Sequence, residues 1–103
     1  MDTEVLTTLL EMLKVDLGLM SPPPAVEEFM TQLLEASQSQ ISGRGVSLDM
    51  SQTADLLFVA SWAAWLYRRR DSGSGLPEML LAELRSRLVR QAAAAEDEEA
   101  DEA

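Results

Sequence analysis

The chain contains no cysteine and no histidine. It therefore lacks the thiol nucleophile, the commonest general base and the usual ligands of zinc. Without cysteine there are no disulfides, which agrees with a reducing compartment. The sequences Gly43-Arg44-Gly45 and Gly73-Ser74-Gly75 lack the lysine and the strand-to-helix context of a phosphate-binding loop. We therefore expect no catalysis, no metal and no cofactor.

Long apolar runs are also missing. No run reaches the roughly 18 apolar residues of a membrane-spanning helix, so we expect no contact with a membrane. No segment has the pattern of a secretory signal. A length of 103 residues and a hydrophobic content of 47% are ordinary for one globular domain. We assign that domain to residues 1–95 and a separate acidic tail to residues 96–103.

Apolar residues recur at helical spacing in four segments. The first predicted helix covers 3–15, and Gly18 and the prolines 22–24 end it. The second covers about 26–41 before two glycines, and the third runs to about 70 with Asp49 or Ser51 as its cap. The fourth begins near Pro77 and turns five leucines inward: Leu76, Leu80, Leu81, Leu84 and Leu88.

The predicted fold is all-α, a small bundle of four helices with a central apolar helix and a disordered acidic tail. The central helix contains residues 54–67, ADLLFVASWAAWLY, which only Asp55 and Ser61 interrupt. A helix that is apolar on every side must be buried on every side, and at about 21 Å this one is too short to span a bilayer of about 30 Å. Since a short chain has little material to surround it, we expect other copies of the protein to complete its burial.

Two features beside this helix have alternative interpretations. Trp62 and Trp65 are either core residues or anchors of a subunit interface, where tryptophan is over-represented. The arginines 68–70 either contact phosphate or place favourable charge at a helix C-terminus and pair with carboxylates. The sequence leaves both choices open.

The net charge of −10 is unevenly distributed. Residues 1–55 carry a balance of −7, residues 56–95 a balance of +3, and the last eight residues six acids and no base. An acidic front and a basic back favour head-to-tail contact between copies, which closes into a ring when the rotation permits. The alternative is that both are solvated surfaces. The tail either maintains solubility or becomes ordered when a partner binds.

The order of several short sequences resembles the head–tail connector proteins of tailed bacteriophages, also called head-completion or adaptor proteins. The segments are 13–18 (LKVDLG), 46–49 (VSLD), 63–71 (AAWLYRRRD) and 76–80 (LPEML), and the resemblance spans roughly residues 5–90. The segment nearest to a signature is the apolar helix that ends in Trp65-Leu-Tyr-Arg-Arg-Arg70 before a short turn and a proline.

This resemblance implies a non-enzymatic virion protein that forms a ring, commonly twelvefold, beneath the portal protein. The ring would extend the DNA channel and dock the next head-closure or tail-completion protein in the neck. Assembly would take place in the host cytoplasm. Genomic DNA would pass through without specific binding, because acids of residues 1–55 or of the tail would face the channel and repel phosphate.

The resemblance also implies two sets of contact residues. The expected subunit interface consists of Trp62, Trp65, Tyr67, Arg68, Arg69 and Arg70. The expected portal contact consists of Arg85, Leu88, Val89 and Arg90.

Two other functions remain as alternatives. A small helical DNA-binding regulatory protein would use the arginines within 68–70 and 85–90, and its binding to duplex DNA would weaken steeply with salt. An acidic decoy that imitates nucleic acid would depend on residues 96–103.

Overall fold

The computed structural model describes the backbone of residues 2–69 and 75–102 and the side chains of residues 2–69 and 75–95. Its four helices are α1 (Thr3–Leu17), α2 (Pro24–Gly43), α3 (Thr53–Arg69) and α4 (Glu78–Glu102). All regular structure in the described ranges is helical, so the predicted all-α bundle with a central apolar helix is confirmed. Within those ranges no helix has the length and apolar character needed to cross a membrane.

Local chemistry explains where α1 ends and α2 begins. The Asp2 carboxylate accepts a hydrogen bond from the Glu4 backbone N–H at 3.2 Å and caps the start of α1. Gly18 ends the helix in the left-handed conformation, with φ of 72°, which glycine adopts without steric cost. Pro24 is the first residue of α2, where the missing N–H of proline has no intrahelical partner to lose.

The turn before α3 differs from the prediction. Because α3 begins at Thr53, Asp49 and Ser51 lie ahead of the helix and do not cap it. The Ser51 hydroxyl and backbone N–H both donate to the Asp49 carboxylate, at 2.6 and 3.0 Å. Both hydrogen bonds lower the pKa of Asp49, and the one from the hydroxyl has the larger effect. A lowered pKa in the folded state stabilises the turn above the ordinary value of 3.8, and this stabilisation disappears as the pH falls through the lowered pKa.

The backbone of α4 continues to Glu102, into the segment for which the sequence predicts disorder. That prediction rests on the absence of apolar side chains to bury. Helical backbone also forms through intrinsic propensity, and the four alanines of 92–95 and the glutamates that follow are good helix formers. Among the described side chains of α4, Gln91 makes the last hydrogen bonds to the bundle, and the helical backbone extends beyond it.

The core is built around α3. Helices α1 and α2 pack against α3 and against each other, whereas α4 packs mainly against α3. Eight residues of α3 are buried: Leu56, Phe58, Val59, Ala60, Trp62, Ala63, Ala64 and Leu66. A single chain therefore covers most of the circumference of α3. The sequence predicts that one short chain is unable to surround this helix, and for the buried sides that prediction is wrong. The three alanines make this possible, because small side chains allow neighbouring helices to approach closely.

Leu34 tests the importance of this core. It is fully buried on α2, so Leu34→Ala should lower the free energy of unfolding by about 2–5 kcal/mol through lost burial and a residual cavity. Urea unfolding followed by circular dichroism measures the change. Val15→Ala is the control, because Val15 on α1 is 81% exposed and should change the stability little. Equal losses in the two variants would contradict this description of the core.

Candidate functional site

One face of α3 remains open between α3 and α4. Residues at three- and four-residue spacing along α3 line one wall of a groove, and the start of α4 lines the other. Two adjoining cavities of about 320 and 260 Å³ share Ser61, Met79 and Leu80. We call this feature the α3–α4 groove; its apolar lining consists of Ala54, Leu57, Phe58, Trp65, Pro77, Met79 and Leu80.

The groove has an apolar centre and a charged rim. Leu57 is 51% exposed and Met79 is 82% exposed, so two large apolar side chains face solvent beside the opening. Glu83 and Arg87 lie at one end, and Asp16 and Arg68 lie at the other. An apolar centre with a polar rim is the usual anatomy of a protein–protein interface.

Arg87 fastens α4 to the start of α3. Its guanidinium group forms an ion pair with Asp55, donates to Glu83 Oε1 at 2.9 Å and to the Ala54 carbonyl at 3.2 Å, and lies 4.6 Å from the centre of the Phe58 ring. The Asp55 carboxylate also accepts the Asp49 backbone N–H at 2.7 Å. The side chains of Arg87 and Asp55 are only 12% and 13% exposed, so this pair is largely desolvated.

Gln91 provides a second attachment. Its side-chain amide accepts the Ser47 backbone N–H at 2.9 Å and donates to the Gly45 carbonyl at 2.8 Å. Gly45 has a positive φ of 94°, and Leu88 lies against this position. Arg87 and Gln91 together hold the first half of α4 against α3 and the segment before it.

The residues predicted for the subunit interface occupy different environments. Trp62 is 1% exposed and donates its indole N–H to Gln40 Oε1 at 2.8 Å, so it belongs to the core of one chain and has no surface to offer a second copy. The burial of α3 by its own chain overturns that assignment. Trp65 is half-buried, lines the groove and donates to the Gly75 carbonyl at 3.0 Å. Tyr67 is half-buried, 6.2 Å from the ring of Phe29.

The predicted arginines mostly contact groups of the same chain. Arg68 donates to the Asp16 carboxylate at 2.8 Å and to the Asp16 carbonyl at 2.9 Å, which joins the ends of α3 and α1. The Arg69 guanidinium lies 5.0 Å from the Trp65 ring. Arg70 lies outside the described residues. These contacts favour the interpretation of Arg68 as a partner for a carboxylate over contact with phosphate.

Three of the four predicted portal contacts are accessible. Arg85, Val89 and Arg90 are exposed on α4, and Arg90 also lies 3.4 Å from Glu83. Leu88 is half-buried and packs against the core. The exposed surface of α4 therefore combines two arginines with an apolar side chain, without the contribution expected from Leu88.

Sequence reasoning assigned no interface role to Leu57, Met79, Arg87 or Gln91. The sequence did contain a signal for the side of α3 that faces α4. Asp55 and Ser61, the two polar residues within the apolar run 54–67, both lie on that side. Asp55 meets Arg87, and Ser61 lines both cavities. The partner of each position depends on how α4 docks, which a single sequence does not reveal.

Among the described residues, no group of three acidic side chains is placed to hold a metal ion. Comparison of the chain with family models, with curated proteins and with solved structures finds no match.

Removing Arg87 should loosen α4. Arg87→Gln leaves the largely buried Asp55 carboxylate without its cation, so we expect a loss of about 3 kcal/mol in the free energy of unfolding, the lower end for a buried pair because this one is slightly exposed. Amide hydrogen exchange should also accelerate over the first half of α4. Arg90→Gln is the matched control, because that side chain is 67% exposed and its pair with Glu83 should contribute less than about 1 kcal/mol. Comparable effects of both substitutions would contradict the role given to Arg87.

Proposed function

We propose that this protein is a structural subunit of the neck of a tailed bacteriophage. In this proposal, copies form a homo-oligomeric ring beneath the portal protein, extend the DNA channel and present a surface to the next head-closure or tail-completion protein. The subunit catalyses nothing. The observation that carries the proposal is the α3–α4 groove, an apolar opening in a chain that otherwise covers its central helix well.

The groove supports self-association because part of the apolar surface of α3 is left uncovered there by its own chain. Leu57 and Met79 stay exposed beside it, although the surrounding residues of α3 are buried. Contact with another protein would remove this apolar surface from water, at a gain of about 25 cal/mol per Å². The resemblance to head–tail connectors supplies the biological setting, and the all-α bundle agrees with it.

Internal ion pairs disfavour the alternative of a DNA-binding regulator. Binding to duplex DNA draws most of its affinity from cationic side chains that neutralise phosphates. In this chain Arg68 pairs with Asp16, and Arg87 pairs with Asp55 and Glu83. DNA would have to compete with these carboxylates, which are already in place.

The distribution of acids suits a channel through which DNA slides. Glu4 on α1 and Glu35 on α2 are exposed. If this surface faces the channel, it repels the phosphate backbone and DNA passes without adhering. In such a ring, the groove and α4 would belong to the contacts between proteins.

The mass of the protein in solution tests this proposal. We expect light scattering over a concentration series, with and without a phage portal protein, to show complexes that contain many copies of this 11.3 kDa chain once the mass of the portal is subtracted. Electron microscopy of the same sample should show rings.

Duplex DNA provides the discriminating control. We expect weak binding with no sequence preference. Tight binding that falls by orders of magnitude between about 50 and 200 mM salt, together with a protein that stays small beside the portal, would favour the DNA-binding alternative.

A further inference from the structure

The loop of residues 18–23, which we call the α1–α2 connector, presents an apolar side chain to solvent. Met20 is 92% exposed, the highest value among the large apolar residues of the described chain. Val15, on the last turns of α1, is also exposed. An isolated exposed methionine is unremarkable, so its significance depends on how it is held and on what surrounds it.

The connector holds Met20 in a defined position. On one side, the Leu19 backbone N–H donates to the Lys14 carbonyl at 2.9 Å, and the Leu19 side chain packs against the core. On the other side, the three prolines 22–24 restrict the backbone before α2 begins. Lys14 on α1 also pairs with Glu27 on α2 at 3.4 Å, across the connector. A side chain presented on such a braced segment loses little entropy when a partner binds.

We propose that Met20 of one copy inserts into the α3–α4 groove of the next copy, in a head-to-tail contact. The inference rests on the proposed ring-forming function and names the two surfaces that would join. The larger cavity, about 320 Å³ beside Leu57, is ample for a methionine side chain, since a cavity of about 150 Å³ already accepts benzene. Methionine is also flexible enough to fit an irregular apolar site.

Charge complementarity favours the segment that carries Met20 over exposed Val89, and within that segment Met20 is the most exposed apolar side chain. Apart from Asp16, which lines the groove and pairs there with Arg68, the segment 11–28 contains Met20 and Val15 and carries three glutamates against Lys14. The described residues 56–69 and 75–95 contain most of the groove and carry five arginines against two glutamates, and three of these arginines remain after Arg68 pairs with Asp16 and Arg87 with Asp55. Val89 is exposed too, but it lies between Arg85 and Arg90 on the basic α4. A copy that offered Val89 to the groove would bring like charges together, whereas one that offers Met20 brings opposite charges together.

Complementary surface variants test the contact and its direction. Met20→Glu removes the inserted side chain, and Leu57→Glu places a carboxylate in the groove; both residues are exposed, so circular dichroism should show folded chains. Each variant alone should assemble at least about tenfold more weakly than the wild type, because one side of every contact is lost. An equimolar mixture has one intact contact and should stop at pairs, with no rings. Wild-type assembly by either variant, or rings in the mixture, would overturn the proposal.

Cross-linking detects the same contact even where assembly is weak. The chain has no native cysteine, so Met20→Cys and Leu57→Cys each introduce a single thiol. A short bismaleimide should join the two variants, when mixed, into a pair linked through residues 20 and 57. Val89→Cys mixed with Leu57→Cys is the matched control and should give only background. Equal yields from the two mixtures would overturn the choice of Met20.

The outcomes separate this inference from the proposed function. If the wild type forms rings and both Glu variants form them equally well, the Met20 contact is wrong and ring formation stands. If the wild type stays monomeric with the portal protein present and no specific cross-link forms, both proposals fall.

Discussion

The burial of α3 is the constraint on which the rest of this structure depends. A helix that is apolar from 54 to 67 except at Asp55 and Ser61 can fold in water only if other elements cover it. Helices α1 and α2 cover two sides, and the alanines of α3 let them approach closely. The remaining side falls to α4, which packs mainly against α3 and leaves the α3–α4 groove. The open surface thus follows directly from how little chain is available.

Polar groups then decide how α4 is held. Leu80 and Leu84 are buried against the core, but two cavities lie along the same seam, so apolar packing there is incomplete. The ion pair between Arg87 and Asp55 and the two hydrogen bonds of Gln91 are directional, and they position α4 against α3 and against the segment that precedes α3. Such contacts define an orientation without filling the space between the helices. A well-positioned helix can therefore coexist with an unfilled groove.

Most of the fold could be predicted from periodicity and helix-ending residues, whereas the site could not. The stripe from Val26 to Ile41 and the stop at Gly18 depend on local physics, so α1 and α2 begin and end within two residues of the predicted bounds. The burial of Trp62 and the exposure of Leu57 depend on which helix covers which side of α3. A helix that is apolar all round gives no preferred face, so periodicity carries no information about this choice. Asp55 and Ser61 marked the open side, but nothing in the sequence named their partners.

The electrostatics of the chain also take on a different meaning once the fold is known. Several arginines that could have contacted phosphate instead form ion pairs with carboxylates of the bundle. These pairs neutralise part of the positive charge of the second half of the chain. The acids of α1 and α2 are less compensated, because Lys14 is the one basic residue on those two helices. The folded protein therefore keeps an acidic surface on α1 and α2 and a mildly basic surface on the second half of the chain, and this charge polarity is available for contacts with other copies. In a heterologous contact, opposite surfaces of successive copies meet, and this polarity then favours every contact in the series and not one pair alone.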